Sequence, residues 1–211
     1  MFQISRTKSV YYLTSVTHNR LAIFRADKLK EVVCKALDEA RKSAGFLIFA
    51  YVVMPDHLHL LTDNAKSTSE TLRYTNGIIA KRVIDYLKEN NLESCLAKLR
   101  IQLREREHKH SVFQHHPNAF EIYGEDKMME KVNYIHLNPV RAGLVKVPDD
   151  YRFSSSRQWH GKAIEDELAM DGSENDQVAG GVAAKGFGSV VGKAPPFRKP
   201  SDEAENFYRA T

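Results

Sequence analysis

Two histidines, His57 and His59, flank Leu58 and have the residue type and spacing for a chemical role. On a strand, residues i and i+2 point to the same side, so both imidazoles would project together while Leu58 points to the core. Two neutral imidazoles on one face can hold a divalent metal if a third ligand comes from elsewhere in the fold. The alternative is a strand with two polar positions facing solvent, and the pair by itself favours that interpretation.

Tyr134 and Asn138 form a second pair, four residues apart on a predicted helix and therefore on one of its faces. Tyrosine offers an oxygen nucleophile and asparagine a carbonyl ligand, although a packed tyrosine and a helix stop before Pro139 would explain the same residues. Together with the histidines, they supply what attack on a phosphodiester requires: a nucleophile and a metal that polarises a phosphate oxygen. A phosphotyrosine bond would retain the energy of the broken diester for later rejoining.

The elements that must position these residues can be predicted from the sequence pattern. Strands are predicted at 10–17, 46–53 and 57–62, where β-branched, aromatic and apolar residues concentrate. Between the first two strands we predict a helix that begins at Asp27 and ends at Gly45. A second helix should begin at Ser67, where Glu70 completes a capping box, and end near Asn90.

The rest of this region is less regular. Leucines at a helical interval indicate a helix after residue 92, before a charged stretch that runs to about residue 111. A strand at 112–114 or 119–123 and a helix at 124–137 should follow, the helix being stopped by Asn138 and Pro139. This order predicts an α+β fold: a ferredoxin-like β-α-β-β-α-β antiparallel sheet with helices on one face, followed by a C-terminal tyrosine-bearing helix.

Charge and glycine content divide the chain near His160. The whole chain has a formal net charge of +4, but residues 1–160 hold 25 Lys and Arg against 18 Asp and Glu, whereas residues 161–211 hold 6 against 9. The second segment also carries 7 of the 11 glycines. We therefore predict one basic domain at 1–160 and a low-complexity, disordered tail at 161–211.

Composition excludes other classes of protein. The longest apolar run, 46–54, is too short for a membrane span, and the first residues do not have the pattern of a secretory signal. The two cysteines, Cys34 and Cys95, do not make a CxxC pair, which argues against a disulfide framework and favours a reducing cytoplasm.

Three longer motifs carry a resemblance to a known family. The runs YVVMPDHLHLL (51–61), YIHLNPVRAGLV (134–145) and PDDYRFSSS (148–156) resemble those of the IS200-like single-tyrosine transposases, with the REP-associated tyrosine transposases as the nearest branch. The resemblance spans nearly all of residues 8–158. It implies a ferredoxin-like core and an HUH endonuclease in which His57, His59 and Asn138 bind Mg²⁺ or Mn²⁺. Tyr134 would be the nucleophile that forms a 5′-phosphotyrosine bond.

The function that the resemblance implies is a metal-dependent endonuclease and strand transferase that cuts and rejoins single-stranded DNA near palindromic hairpins. It further implies a bacterial cytoplasmic enzyme that acts at the nucleoid, as a monomer or a homodimer, without a membrane partner. One alternative is a non-catalytic regulator that binds single-stranded nucleic acid on the same fold. Another is a metal-dependent hydrolase that uses water as the nucleophile.

Five arginines are candidates for DNA contacts, because phosphate contacts dominate affinity for nucleic acids. A solvated helix face would explain the densest part of this set nearly as well. The five are Arg20, Arg100, Arg104, Arg106 and Arg141.

Overall fold

The computed structural model describes residues 9–104, 107–114, 117–162, 164–165 and 167–171, with the backbone alone for 101–104 and 107–109. Within these ranges the strands are β1 Val10–Val16, β2 Ile48–Val53, β3 His57–Asp63, β4 Arg100–Arg104, β5 Glu107–His110 and β6 Asn118–Ile122. The helices are α1 Asp27–Ala44, α2 Thr68–Glu89, α3 Glu93–Leu99, α4 Glu125–Arg141 and α5 Ser156–Trp159, with 3₁₀ turns at His18–Arg20 and Pro148–Asp150.

Four of the strands form one antiparallel sheet in the order β2-β3-β1-β6. Strand β1 lies in the middle, with its residues paired to β3 on one side and to β6 on the other. With α1 between β1 and β2, and α2 between β3 and β6, this is the ferredoxin-like arrangement that the sequence predicts. The predicted fold class is confirmed.

The two faces of this sheet carry different helices. Ser15 on β1 donates a hydrogen bond to Asn76 of α2, at 2.7 Å, and α1 packs along α2. Tyr12, three residues earlier and therefore on the other face, packs against Tyr134 of α4. The tyrosine-bearing helix thus covers the face opposite α1 and α2, and brings its residues over the side chains of β1 and β3 that point that way.

Capping residues and apolar runs in the sequence correctly predict α1, β2 and the start of α2. Ser67 and Glu70 make the reciprocal capping box at the start of α2. Gly45 ends α1 in the left-handed conformation, with φ of 72°, which a residue without a Cβ adopts at no steric cost. Strand β2 is buried along its whole length, as its continuous apolar composition predicts.

The structure differs from the prediction in two places. The helix predicted after residue 92 is present as α3 and ends at Leu99, but the charged stretch that follows forms a β4–β5 hairpin that was not predicted, in which Arg100 pairs with His110. Helix α4 does not stop before Pro139 but continues to Arg141. Pro139 cannot donate a hydrogen bond to the Ile135 carbonyl, and its ring crowds that carbonyl. Hydrogen bonding nevertheless continues beyond it, where the amides of Ala142 and Leu144 bond to the carbonyls of Asn138 and Pro139.

The described structure extends beyond His160. Leu168 and Met170 are buried, and the Asp171 carboxylate accepts hydrogen bonds from Arg41 and from the Ile48 amide. The division of the chain at His160 stays a prediction, and the part of the predicted tail from residue 172 onward lies outside the described residues. Among the helices that the structure does describe, none combines the length and the apolar character needed to cross a membrane.

Candidate active site

The histidine pair has the geometry that the strand pattern predicts. His57 and His59 point to the same face of β3, with ring centroids 4.8 Å apart and ring planes at 74°. Leu58 points to the opposite face, where it is buried in the core. The two imidazoles therefore form a compact pair on the sheet face that α4 covers.

Both imidazoles are held at Nδ1. The Nδ1 of His57 lies 2.6 Å from the Asp56 carboxylate, and the Nδ1 of His59 lies 2.8 Å from the Tyr12 hydroxyl and 2.9 Å from the Thr14 hydroxyl. Partners of this kind at one ring nitrogen orient the ring and leave the other nitrogen, Nε2, for a ligand. The arrangement fits that of metal-binding histidines.

Helix α4 brings Tyr134 to this pair. Its ring packs edge-on against His59, with centroids 5.5 Å apart, and against Tyr12, at 6.2 Å. One helical turn later, the Asn138 amide nitrogen donates a 2.8 Å hydrogen bond to the Tyr134 carbonyl. The Asn138 side chain also lies close enough to His59 to influence its pKa. The four residues predicted from the sequence thus come together, although they lie on two separate elements.

The pKa of His59 lies well below the usual value for histidine. Burial is the largest cause, because it disfavours the charged ring, and the nearby His57 acts in the same direction. The nearby Asn138 amide acts to raise the pKa of His59 but is outweighed. His59 is therefore a neutral imidazole near neutral pH, which is the form that binds metal ions.

Two cations lie against the Tyr134 ring. The Lys131 ammonium is 5.7 Å from its centroid and 5.6 Å from that of Tyr12, and the Arg141 guanidinium is 5.1 Å from the Tyr134 centroid. Lys131 and Arg141 lie three residues before and seven residues after the tyrosine on α4, so all three share one helix face. The sequence prediction included Arg141 but missed Lys131.

The other predicted DNA contacts are more scattered. Arg20 is exposed and lies 3.3 Å from the Asp56 carboxylate, the same group that orients His57. Arg100 is exposed where α3 meets β4. The side chain of Arg104 and all of Arg106 lie outside the described residues.

His136, two residues after Tyr134, lies on the far side of α4. Its ring is buried, and its Nε2 lies 2.8 Å from the Ser155 hydroxyl. Burial lowers its pKa to about 3. These contacts make His136 a packing residue between α4 and the segment that follows it.

The groups that orient the histidines were not found by sequence reasoning. Asp56 adjoins His57 in the turn, and Tyr12 and Thr14 are alternate residues of β1, so the signal lay in a strand pairing that one sequence does not reveal. Within the described part of the chain, no three His, Cys, Asp or Glu side chains group as a metal site. The donors gathered here are two imidazoles with an amide beside them.

Comparison with known protein families gives one match. Residues 5–95 match the family model of the IS200-like transposases. This match covers fewer than half of the 211 residues and supports the resemblance to this family that the motif at 51–61 carries. The matched segment runs from before β1 into α3 and contains His57 and His59, whereas Tyr134 and Asn138 lie beyond it.

Comparison with solved structures shows a likeness in fold. A REP-associated tyrosine transposase bound to a REP hairpin shares 19% sequence identity with this chain, with a TM-score of 0.54 over 81% of this chain and 89% of that one. At this identity the likeness shows a shared fold. A candidate transposase from Deinococcus radiodurans R1 is 18% identical over 61% of this chain and 88% of its own, with a TM-score of 0.43. A search of curated protein sequences finds no significant match.

Proposed function

We propose that this protein is a metal-dependent endonuclease and strand transferase that acts on single-stranded DNA through Tyr134. The observation that carries the proposal is the contact between Tyr134 and His59, whose centroids are 5.5 Å apart, next to the second imidazole of His57. A tyrosine packed only for stability would not need two histidines oriented at Nδ1 beside it. A nucleophile that works with a bound cation does.

The proposed reaction exchanges one phosphate ester for another. The Tyr134 phenol oxygen forms a bond to phosphorus while the bond between phosphorus and the 3′ oxygen breaks. The phenol loses its proton and the departing 3′ oxygen takes one up, which yields a 5′-phosphotyrosine and a free 3′-hydroxyl. Attack by another 3′-hydroxyl reverses these steps and rejoins the strand without a nucleotide cofactor.

His57, His59 and Asn138 would hold the cation. Imidazole nitrogens and an amide oxygen suit Mn²⁺ and are compatible with Mg²⁺ when water or phosphate oxygens complete the shell. The Asn138 nitrogen donates to the Tyr134 carbonyl, so the amide oxygen is the atom that would bind a cation held by His59. A bound divalent cation would polarise a phosphate oxygen and offset the charge that grows during attack.

Lys131 and Arg141 supply the remaining positive charge. Both lie within 6 Å of the Tyr134 ring centroid, so an attacked phosphate would meet a cation on either side of the nucleophile. Their charge would stabilise the added negative charge of the transition state. Arg20 and Arg100 are proposed as contacts to the more distant backbone.

The proposed substrate is a palindromic hairpin with a single-stranded flank. The fold is shared with a REP-associated tyrosine transposase that was solved bound to a REP hairpin. The basic net charge of residues 1–160 agrees with a nucleic-acid partner. Action as a monomer or as a homodimer is compatible with the proposal.

A gel assay tests this function. The protein is incubated with end-labelled hairpin DNA and Mn²⁺ or Mg²⁺, and the products are separated under denaturing conditions. We expect a covalent protein–DNA band that is absent in Tyr134→Phe and present in the control Tyr123→Phe, an exposed tyrosine outside the cluster. Cleavage without a covalent band would indicate hydrolysis by water, and binding without cleavage would indicate a regulator; either result would contradict the proposal.

A further inference from the structure

Phe120 on the edge strand β6 is unusually exposed for an aromatic residue within a sheet. It is 58% exposed, more than any other large hydrophobic side chain in the described ranges. It lies directly across from Tyr12 in the register of β1 and β6, and therefore on the face of the sheet that carries His57 and His59. The exposed ring thus lies at the border of the candidate active site.

Phe120 ends a row of nearly parallel rings. The His59 and Tyr12 rings are 5.4 Å apart with planes at 20°, and the Tyr12 and Phe120 rings are 6.5 Å apart with planes at 26°. The row runs from the histidine pair to the edge of the sheet, where the last ring is open to solvent. The exposed Phe120 ring therefore offers a surface for stacking, separated from the histidine pair by the Tyr12 ring.

The positive charge of Lys131 beside this row of rings indicates which kind of ligand would bind there. The Lys131 ammonium lies over Tyr12, the middle ring, and it also lies over Tyr134, the proposed nucleophile. An aromatic face with an adjacent ammonium matches a nucleotide, whose base stacks while its phosphate contacts the cation. In a duplex the faces of each base are already stacked on neighbouring pairs, so the ring selects an unpaired base.

We propose that Phe120 and Lys131 form a subsite that holds an unpaired nucleotide next to the phosphate attacked by Tyr134. The base stacks on Phe120, and the phosphate that this nucleotide shares with the cleaved bond contacts Lys131, so the subsite fixes the position of the strand relative to the nucleophile. This inference rests on the proposed function, because it assigns the subsite a role in placing the cleaved strand. Stacking does not involve the hydrogen-bonding edges of the base. The subsite therefore distinguishes single-stranded from double-stranded DNA more than it distinguishes one base from another.

A binding measurement isolates the stacking contribution. Full-length protein is titrated, without divalent metal, into fluorescein-labelled oligo(dT) of about 15 nucleotides and into an abasic strand of the same length, which keeps the phosphates but lacks the bases. We expect wild-type protein to prefer oligo(dT), and Phe120→Ala to lose about tenfold in affinity for it while binding the abasic strand as before. Phe120→Tyr, which retains the ring, should keep the preference.

Tyr123→Ala is the matched control. Tyr123 is also exposed, at 49%, but it interacts with Glu121, which lies on the other face of β6. It should keep the full preference for oligo(dT). Lys131→Gln should weaken binding to both strands and lower the slope of affinity against salt by about one.

The subsite is wrong if Phe120→Ala retains the preference, or if it loses affinity for both strands equally. It is also wrong if Phe120→Ala converts a dimer to a monomer in light scattering while its preference is unchanged, because the edge would then be a contact between copies. These outcomes are separate from a failure of the proposed function: a normal covalent band with no effect of Phe120→Ala on binding overturns the subsite alone. Base-dependent binding through Phe120 without any covalent band overturns the function.

Discussion

The orientation of two imidazoles decides what this site can do. Asp56 holds His57 at 2.6 Å, and the Tyr12 and Thr14 hydroxyls hold His59, so each ring keeps its Nδ1 engaged and turns Nε2 away. The sequence predicts the shared face of the histidines, because alternation along a strand is strict. It cannot predict their partners on β1, because those depend on the register between two strands.

Asp56→Asn tests this orientation at the scale of one residue. An amide can still accept a hydrogen bond from His57, but it lacks the charge that strengthens the imidazole as a ligand. We expect the Mn²⁺ concentration for half-maximal cleavage to rise by about 10- to 100-fold. The readout is a metal titration of hairpin cleavage, with Asp85→Asn on the exposed face of α2 as the control. An unchanged metal requirement in Asp56→Asn would show that this carboxylate does not orient a metal ligand.

At the scale of elements, the site depends on α4 crossing the face opposite α1 and α2. The sequence predicts this helix and its pairing of Tyr134 with Asn138, but not its path through Pro139 to Arg141. That extension matters, because it puts Arg141 on the helix face of Tyr134 rather than in a loop. Helix stops before proline are a steric preference, and here the helix continues, with the Ala142 and Leu144 amides hydrogen-bonded to the carbonyls of Asn138 and Pro139.

Asp149 stabilises the segment after α4 through its hydrogen bonds to residues 156–162. Burial acts to raise the pKa of this carboxyl, but hydrogen bonds from Lys162, Ser156 and His160 outweigh it and lower the pKa well below the usual range. A carboxyl with a depressed pKa in the folded state contributes stability above its unfolded pKa, near 3.9, and loses that contribution as pH falls further.

We therefore expect Asp149→Asn to lower the melting temperature by several degrees at pH 7 and by progressively less as pH falls below about 4. Scanning fluorimetry of both proteins between neutral and acid pH measures this difference. A melting-temperature difference that stays constant across the pH range would mean that the charge of Asp149 does not stabilise this segment.

At the scale of the whole molecule, composition alone divides the chain near His160, whereas packing continues beyond it. Charge and glycine content change at that point, but Leu168, Met170 and Asp171 still contact the body. Single apolar residues in a polar stretch give little periodic signal, which explains why the sequence did not reveal these contacts.

Two truncations test whether the stable domain ends near His160, where the composition changes, or includes residues 161–171. A chain that ends at Gly172 should melt within about a degree of the full-length protein, because it keeps the buried side chains and the Arg41–Asp171 ion pair. A chain that ends at His160 should melt several degrees lower, because it loses both. Equal melting temperatures for the two truncations would mean that residues 161–171 add nothing to the stability of the domain.

During the proposed reaction, Tyr134 becomes covalently joined to DNA beside His57 and His59. Trypsin releases Tyr134 in the peptide VNYIHLNPVR, residues 132–141, which contains no other tyrosine. Mass spectrometry of protein incubated with hairpin DNA and Mn²⁺, then treated with nuclease and trypsin, locates the modified residue. We expect a nucleotide on Tyr134 of this peptide, and its loss in His57→Ala. A nucleotide on any other peptide, or cleaved DNA with this peptide unmodified, would contradict the account.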